Sequence, residues 1–431
     1  MTHHTTDHTH DMNATSWVES ANGHPDFPVQ NLPFGVFSTD GEDARGGVAI
    51  GDYVLDLRNV LDGDLIEDDR DLLHYASFAT LNDFFAMPGG PSELRAKLFA
   101  ALTDESYKAA MEVCLVPMAD VQMHLPFQIH DYTDFYTGIH HAVNIGSLFR
   151  PDNPLLPNYK HVPIGYHGRS SSICVSGTDV KRPTGQQKPA EEGGTPEFGP
   201  SKRLDYELEM AIWVGQGNDL GDPIPVGEAE QHIAGISILN DWSARDIQAW
   251  EYQPLGPFLA KNFASTVSPW VVTMDALAPF RTAQPARAEG DPEPLPYLQH
   301  DMSHAAFGIQ MEVLITTPKM REAGAEPHRL SHGPMTAMYW TAAQLIAHHS
   351  VGGCNMQPGD LLGTGTLTSG EDGGEGSLIE LTEGGKKTIS LPNGEERKFL
   401  EDGDEVIMRA YAEKDGYARI GMGECRATIV G

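Results

Sequence analysis

Apolar residues along this chain come in short runs separated by glycine and proline, and the period of those runs changes with position. From Phe34 the pattern is that of β structure: FGVFST, then GVAI and YVLDL on either side of Gly51-Asp52, a two-residue turn of the hairpin kind. Between about Leu61 and Val116 the spacing turns helical, and Pro91-Ser92 open a segment in which Leu94, Leu98 and Ala101 recur on one helical face. Pro117 and Pro126 bracket a mixed stretch, so a domain boundary is expected near residue 125. Beyond it, strands predominate. From Ser377 onward the pattern predicts consecutive hairpins, SLIEL, KTISL, RKFL, VIMRAYA and ATIV, with Asn393-Gly394 at one turn. Two helices are expected among these strands: ARDIQAWEY, capped by Ser243, and MYWTAAQLIAHH, ending before Gly352-Gly353. At the other end, His3, His4, His8 and His10 sit in a Thr/Asp-rich tract with no apolar periodicity, and residues 1–17 are expected to be a disordered tail.

Composition narrows the class. A length of 431 residues suits two or three domains, and 45 glycines with 30 prolines are too many for a helical bundle. The 61 acidic against 29 basic residues give a net charge of −32, whose field repels nucleic acid and anionic membrane surfaces. No stretch approaches the ~18 apolar residues of a membrane span, and the first residues lack the basic and apolar regions of a signal peptide. Cys114, Cys174, Cys354 and Cys425 are dispersed and form no C-x-x-C, which fits a reducing cytoplasm.

Candidate chemistry concentrates in a few segments. In LDYELEMAIWV (204–214), Asp205, Glu207 and Glu209 alternate with apolar residues and so share one face of a strand. Carboxylates at that spacing repel one another unless a cation compensates, which points either to a hard, oxygen-preferring metal or to a solvated face. Asp241 ends the apolar run IAGISILN, where a carboxylate needs a partner, and Asp134 lies in the aromatic segment DYTDFYTGIHH. Helical spacing puts Arg245 and Gln248 on one face with Tyr252 a turn further on, which could hold an anion unless Arg245 pairs with Asp246 or Glu251. Lys261 is the one base between Glu251 and Asp275, and is expected either to snorkel or to compensate the acids. His141, seven residues after Asp134, is a candidate general base, and Glu380 in SLIEL a candidate orienting carboxylate.

Taken together, DFPVQNLPFGVFST, DYTDFY, LLPNYKHVPIGYHGRSSSI, LDYELEMA, NDWSARDIQAWEYQPLGPF and HHSVGGCNMQPGDLLGTGT resemble the fumarylacetoacetate hydrolase family from about residue 26 to the end of the chain. The resemblance implies a mainly β protein with some α: an N-terminal SH3-like β-barrel domain (18–125) and a C-terminal catalytic domain of mixed β-roll architecture (126–431), paired as a homodimer. It implies hydrolysis of a carbon–carbon bond in a small diketone, 4-fumarylacetoacetate, to fumarate and acetoacetate, the last step of tyrosine catabolism. A sibling that acts on acylpyruvates is the alternative. Carried over by position, Asp134, Glu207, Glu209 and Asp241 hold a divalent cation, Mg²⁺ or Ca²⁺. His141 activates water with Glu380 as its partner, and Arg245, Gln248 and Lys261 stabilise the oxyanion. Tyr136, Arg150, Tyr166, Tyr252 and Thr366 contact substrate, and a second cation lies near Lys261 and Ser265.

Overall fold

The computed structural model describes residues 5–66, 70–189, 191 and 193–431; His3 and His4 lie outside them. The architecture is mostly β with some helices. Five antiparallel strands form the first sheet: β1 (Phe34–Ser38), β2 (Arg45–Ile50), β3 (Tyr53–Asp56), β4 (Leu115–Pro117) and β5 (Gln122–His124), in the order β4-β3-β2-β1-β5. The expected turn closes β2 onto β3, with Ile50 opposite Tyr53. Gly51 adopts φ +55°, and a Cβ there would lie 2.3 Å from Ser20 Oγ, so glycine serves both the turn and the packing. Helix α1 (Gly90–Thr103) carries Pro91 in its first turn and buries Leu94, Leu98 and Ala101.

From residue 132 the chain builds a larger sheet from β6 (Tyr132–Phe135), β7 (Gly165–His167), β8 (Ile173–Val175), β9 (Leu208–Val214), β10 (Ile233–Asp241), β11 (Ser265–Val267) and β12 (Leu361–Gly363). Their order is β7-β6-β12-β9-β10-β11-β8, with Val272–Thr273 also paired to β10. The central pair is buried along its whole length because the sheet is covered on both faces. Met210, Ile212 and Val214 face one core, which reaches the five-stranded sheet containing Ile309–Thr316 and Glu405–Ala412. Ala211 and Trp213 face the other, where they pack with residues of β1, β2 and α1. By the two-residue period Glu209 falls on this second face, at the end of the strand.

Four local expectations change. SLIEL contains a short helix, α5 (Leu378–Leu381), because Asp205 accepts from the main-chain N–H groups of Leu378 and Ile379 and caps it. Ser243 does not cap helix α3 (Arg245–Glu251); it lies on a two-residue strand opposite Asp205 and donates to the Asp241 carbonyl. In MYWTAAQLIAHH only the second part is α-helical, α4 (Ala342–Ser350), since Thr341 and Gln344 form a capping box that sets its start. Residues 7–17 are packed, not free. His10 Nε2 lies 2.8 Å from the Asp275 carbonyl, and the buried Arg95 of α1 donates to Thr9 Oγ1 at 2.6 Å as well as to the carbonyls of Asn31 and Gln30. Polar contacts hold residues 7–10, whereas Ala14 and Trp17 pack into the apolar core, with Trp17 Nε1 donating to the Ala101 carbonyl at 2.9 Å.

Sequence alone predicts that removing residues 1–15 is harmless. The Thr9–Arg95 contact predicts instead that deleting residues 1–10 costs about 1–3 kcal/mol of stability, the scale of a buried group left unsatisfied. Denaturant unfolding of the truncated and full chains measures it. Coincident midpoints would mean that water replaces Thr9 without loss.

Candidate functional site

Strand register brings four acids to one point. Asp134 of β6 pairs with Gly363 of β12, which pairs in turn with Ala211 of β9, two residues from Glu209. Glu207 precedes β9, where the strand breaks between Asp205 and Leu208, and Asp241 ends β10. Carboxylate oxygens of Asp134, Glu207, Glu209 and Asp241 all lie within 4.8 Å of one another, and all four residues are buried. Asp205, expected on the same face, is turned away by that break; it caps α5 (Leu378–Leu381) and accepts from Arg245 Nε at 2.9 Å.

The compensation is lopsided. Lys261 Nζ donates to Glu207 and, at 2.7 Å, to Asp241; Arg245 Nη1 donates to Glu207 Oε1 at 2.6 Å. Tyr166 OH and Ser265 Oγ also donate to Asp241, at 3.0 and 2.8 Å. Burial pushes Glu207 up, but the charges of Lys261 and Arg245 outweigh it and hold the carboxyl well below its usual range. Asp134 and Glu209 are different: Asp134 Oδ1 and Glu209 Oε1 are buried with no hydrogen-bond partner among the described residues. Burial, and then the negative neighbours, raise both pKa values well above the carboxylate range. Between them sits Gly363, where a Cβ would come within 2.7 Å of Asp134 Oδ1 and 3.0 Å of Glu209 Oε2. Two orphaned acidic oxygens, a glycine that leaves their space open and an all-oxygen donor set fit a divalent hard cation.

A proton linkage follows. Without a cation, Asp134 and Glu209 hold protons at pH values where exposed carboxyls have lost them, so this stabilisation is present at low pH and lost as pH rises through the raised values. Cation binding needs both ionised, so it releases protons and its apparent affinity increases with pH. Titration calorimetry with Mg²⁺ or Ca²⁺ in buffers of different ionisation enthalpy should show net proton release, and zero release would contradict the assignment.

Beside the acids, helix α2 (Ile139–Phe149) places His141 in its first turn. His141 Nδ1 lies 2.7 Å from Glu380 Oε2, both residues buried, and the Tyr136 ring meets the imidazole edge-on at 5.5 Å. Glu380 also accepts from Asn144 Nδ2 at 3.0 Å, Ser377 Oγ at 2.6 Å and Thr368 Oγ1 at 3.0 Å. Burial raises its pKa, but the His141 charge and these donors bring it below the ordinary value. An ionised carboxylate only accepts, so Nδ1 carries the proton and Nε2 keeps its lone pair. His140 turns elsewhere, with its ring against Gly370. Sequence reasoning passed over Asn144, Ser377 and Thr368. Asn144 was within reach, because it lies three residues after His141 on the same helix.

Of the remaining sequence candidates, Arg245 and Gln248 are brought together, with Nη1 to Oε1 at 3.2 Å. Arg245 pairs with Asp205 and Glu207 and not with Asp246 or Glu251, and its Nη2 is left buried without a partner. Arg150 ends α2 and binds the Pro154 carbonyl, with its buried Nε unpartnered. Thr366 is buried where its carbonyl packs on Gly138, at the start of α2. Tyr252, at the C-cap of α3, makes no side-chain hydrogen bond or ring contact among the described residues. Lys261 and Ser265, the pair expected near a second cation, both spend their side chains on Asp241.

Comparison with known proteins places this arrangement. Residues 132–430 match the family model described as Fumarylacetoacetate (FAA) hydrolase C-terminal, and residues 30–126 the one described as Fumarylacetoacetase N-terminal. A fumarylacetoacetase of Oryza sativa subsp. japonica is 49% identical over 96% of this chain and 97% of its own length. One of Homo sapiens is 46% identical over 94% and 96%. Among solved structures, a fumarylacetoacetate hydrolase from psychrophilic Exiguobacterium antarcticum superposes with a TM-score of 0.50 at 15% identity, covering 93% of this chain and 99% of that one, a likeness of fold.

Proposed function

The chain belongs to the fumarylacetoacetate hydrolase family, and from that premise we propose that it hydrolyses the carbon–carbon bond of 4-fumarylacetoacetate to give fumarate and acetoacetate. The observation that carries the mechanism is the His141–Glu380 pair beside four buried carboxylates. Asp134, Glu207, Glu209 and Asp241 would hold a divalent cation, which supplies Lewis acidity toward the diketone oxygens. His141 Nε2 takes a proton from water, while Glu380 fixes the ring and stabilises the imidazolium. The resulting hydroxide adds to the carbonyl on the fumaryl side. Arg245 Nη2, desolvated and unpaired among the described residues, and the Gln248 amide meet the oxyanion; Lys261 pairs with Asp241 and holds Glu207 ionised. Collapse of the adduct breaks the bond, and the acetoacetate carbon takes up the proton held by His141. Arg150, with a free buried Nε, holds a terminal carboxylate, and Tyr136, Tyr166, Tyr252 and Thr366 line the substrate's path. Comparing loss of diketone absorbance for fumarylacetoacetate and for acylpyruvates tests the substrate. Faster consumption of an acylpyruvate would overturn the reading.

The finer parts of this reading have their own supports. The oxygen-only donor set suits Mg²⁺ or Ca²⁺. A second cation near Lys261 and Ser265 would draw on the Ser265 hydroxyl and the main chain, because a charged lysine has no lone pair. The antiparallel meander β1–β5 supports an SH3-like barrel at 18–125, ahead of a β-roll catalytic unit at 126–431. Trp250, Leu255, Phe258 and Leu259 leave apolar surface exposed on one segment, which supports a homodimer. Four free cysteines suit a cytoplasmic site. Among the described residues, no helix is long and apolar enough to cross a membrane.

A further inference from the structure

Away from the carboxylate site, the strand that leads to Asp205 borders a second cavity, of about 520 Å³, within the size range of small-ligand sites. Lys202, Arg203 and Lys398 line it. In a chain with 61 acidic and 29 basic residues, three cations in one cavity are an unusual concentration. Lys386 adds a fourth nearby, between the lining residues Gly385 and Thr388. All four bases are exposed, and among the described residues Arg203 and Lys398 pair with no carboxylate. Lys202 has only the exposed Glu197 at 3.2 Å, a contact of little worth in water. The cavity's own acids are Glu396 and Glu401, and Glu401 already faces Arg397 at 3.5 Å. The Arg203 guanidinium lies over the Phe399 ring, 5.8 Å from its centre, with no donor of its fork committed among the described residues.

We propose that this cavity is a binding site for a small dicarboxylate, held by Arg203 and Lys398 and flanked by Lys202. The arginine fork takes one carboxylate side-on and the lysines take the other as point charges. Glu396 and Glu401 keep the positive surplus small, which favours two separated carboxylates over a compact, highly charged polyphosphate. The apolar Phe399 ring suits the hydrocarbon body between the two carboxylates.

The site is tied to the reaction centre through the main chain. The Arg203 carbonyl accepts from Arg245 N at 3.0 Å, and Asp246, the next residue of α3, accepts from Lys202 N at 2.7 Å and Ser201 Oγ at 2.6 Å. On the other wall, Leu400 N donates to the Leu204 carbonyl at 2.8 Å. An acid that draws Arg203 and Lys398 together therefore pulls on both sides of the strand ahead of Asp205 and on the first turn of α3. Arg245, which holds Asp205 and Glu207, starts that turn. Through these hydrogen bonds, occupancy of the cavity shifts the start of α3 and with it the placing of Arg245, and so changes turnover.

The test uses the full chain loaded with Mg²⁺, with succinate as the dicarboxylate and inorganic phosphate as the compact dianion. Calorimetry should show saturable succinate binding that weakens with salt, with phosphate weaker. Arg203→Gln with Lys398→Gln should lower the succinate affinity about tenfold or more, the scale of hydrogen bonds to charged groups. The variant should keep its activity without succinate. At saturating substrate, succinate should change kcat of the native chain but not of the variant. Phe399→Ala, which removes the ring and leaves the charges, should also weaken succinate binding, and unchanged affinity would overturn the part given to the ring. Absence of saturable binding at tens of millimolar would overturn the site, as would equal affinity in native chain and double variant or tighter binding of phosphate. Binding lost in the variant with kcat unmoved would overturn the coupling.

Discussion

Replacing His141 by alanine should lower kcat by about 100-fold or more, the scale of general-base catalysis, while KM should stay close to that of the native enzyme. The proton on Nδ1 is committed to Glu380 at 2.7 Å, so Nε2 is the atom that accepts from water. Arg150 and the carboxylate site do not depend on the imidazole, and binding survives. Glu380→Gln also lowers kcat, because an amide that presents its NH₂ to Nδ1 favours the wrong tautomer and a neutral group no longer stabilises the imidazolium. The double variant is little worse than His141→Ala, since residues acting as one unit are not additive. His140→Ala loses little, its ring being packed on Gly370. Steady-state kinetics on the four variants at matched metal concentration decides this. Independent, multiplicative losses at His141 and Glu380 would show that they do not work as a pair.

Chelation should abolish turnover, and Mg²⁺ or Ca²⁺ should restore it. The four ligands then separate in a way that only an asymmetric site predicts. Glu207→Gln and Asp241→Asn should lose metal affinity and also destabilise the cation-free protein, by up to about 3–5 kcal/mol, because the first takes one of two carboxylates from both Lys261 and Arg245 and the second one of two from Lys261. Asp134→Asn and Glu209→Gln lose metal affinity just as fully, yet leave the cation-free protein as stable or more so, because they remove acids that burial and their neighbours disfavour. Thermal unfolding with and without cation, together with metal content by mass spectrometry, reads both effects. Full activity of thoroughly chelated, metal-free protein would falsify the cage.

The sequence disclosed the site's reactive members more readily than its supports. Glu207 and Glu209 stand out by alternation, and Asp241 by ending an apolar run, because burial makes such acids conspicuous. Asp205 obeys the same alternation but leaves the cluster, since the strand breaks after it and the N–H groups at 378 and 379 claim it from 173 residues away. That long-range cap also turns SLIEL from the expected strand into a helix, a tertiary contact that local β pattern cannot report. The donors around Glu380 come from α2 and from two loop positions, Thr368 and Ser377, with nothing unusual in their spacing. The fold was legible where apolar runs are long, as in β9, β10 and the hairpin at Gly51-Asp52. It was illegible at residues 7–10, which are held by polar contacts to distant elements such as the buried Arg95.

The most direct test of the proposed reaction is product analysis in water enriched in oxygen-18, with chelated enzyme and with enzyme reloaded with Mg²⁺. The mechanism predicts fumarate and acetoacetate in equal amounts, only in the presence of the cation, with the solvent oxygen in a fumarate carboxylate and none delivered to acetoacetate beyond spontaneous exchange of its ketone. Label in the acetoacetate carboxylate, unequal products, or unchanged cleavage in the chelated enzyme would contradict it.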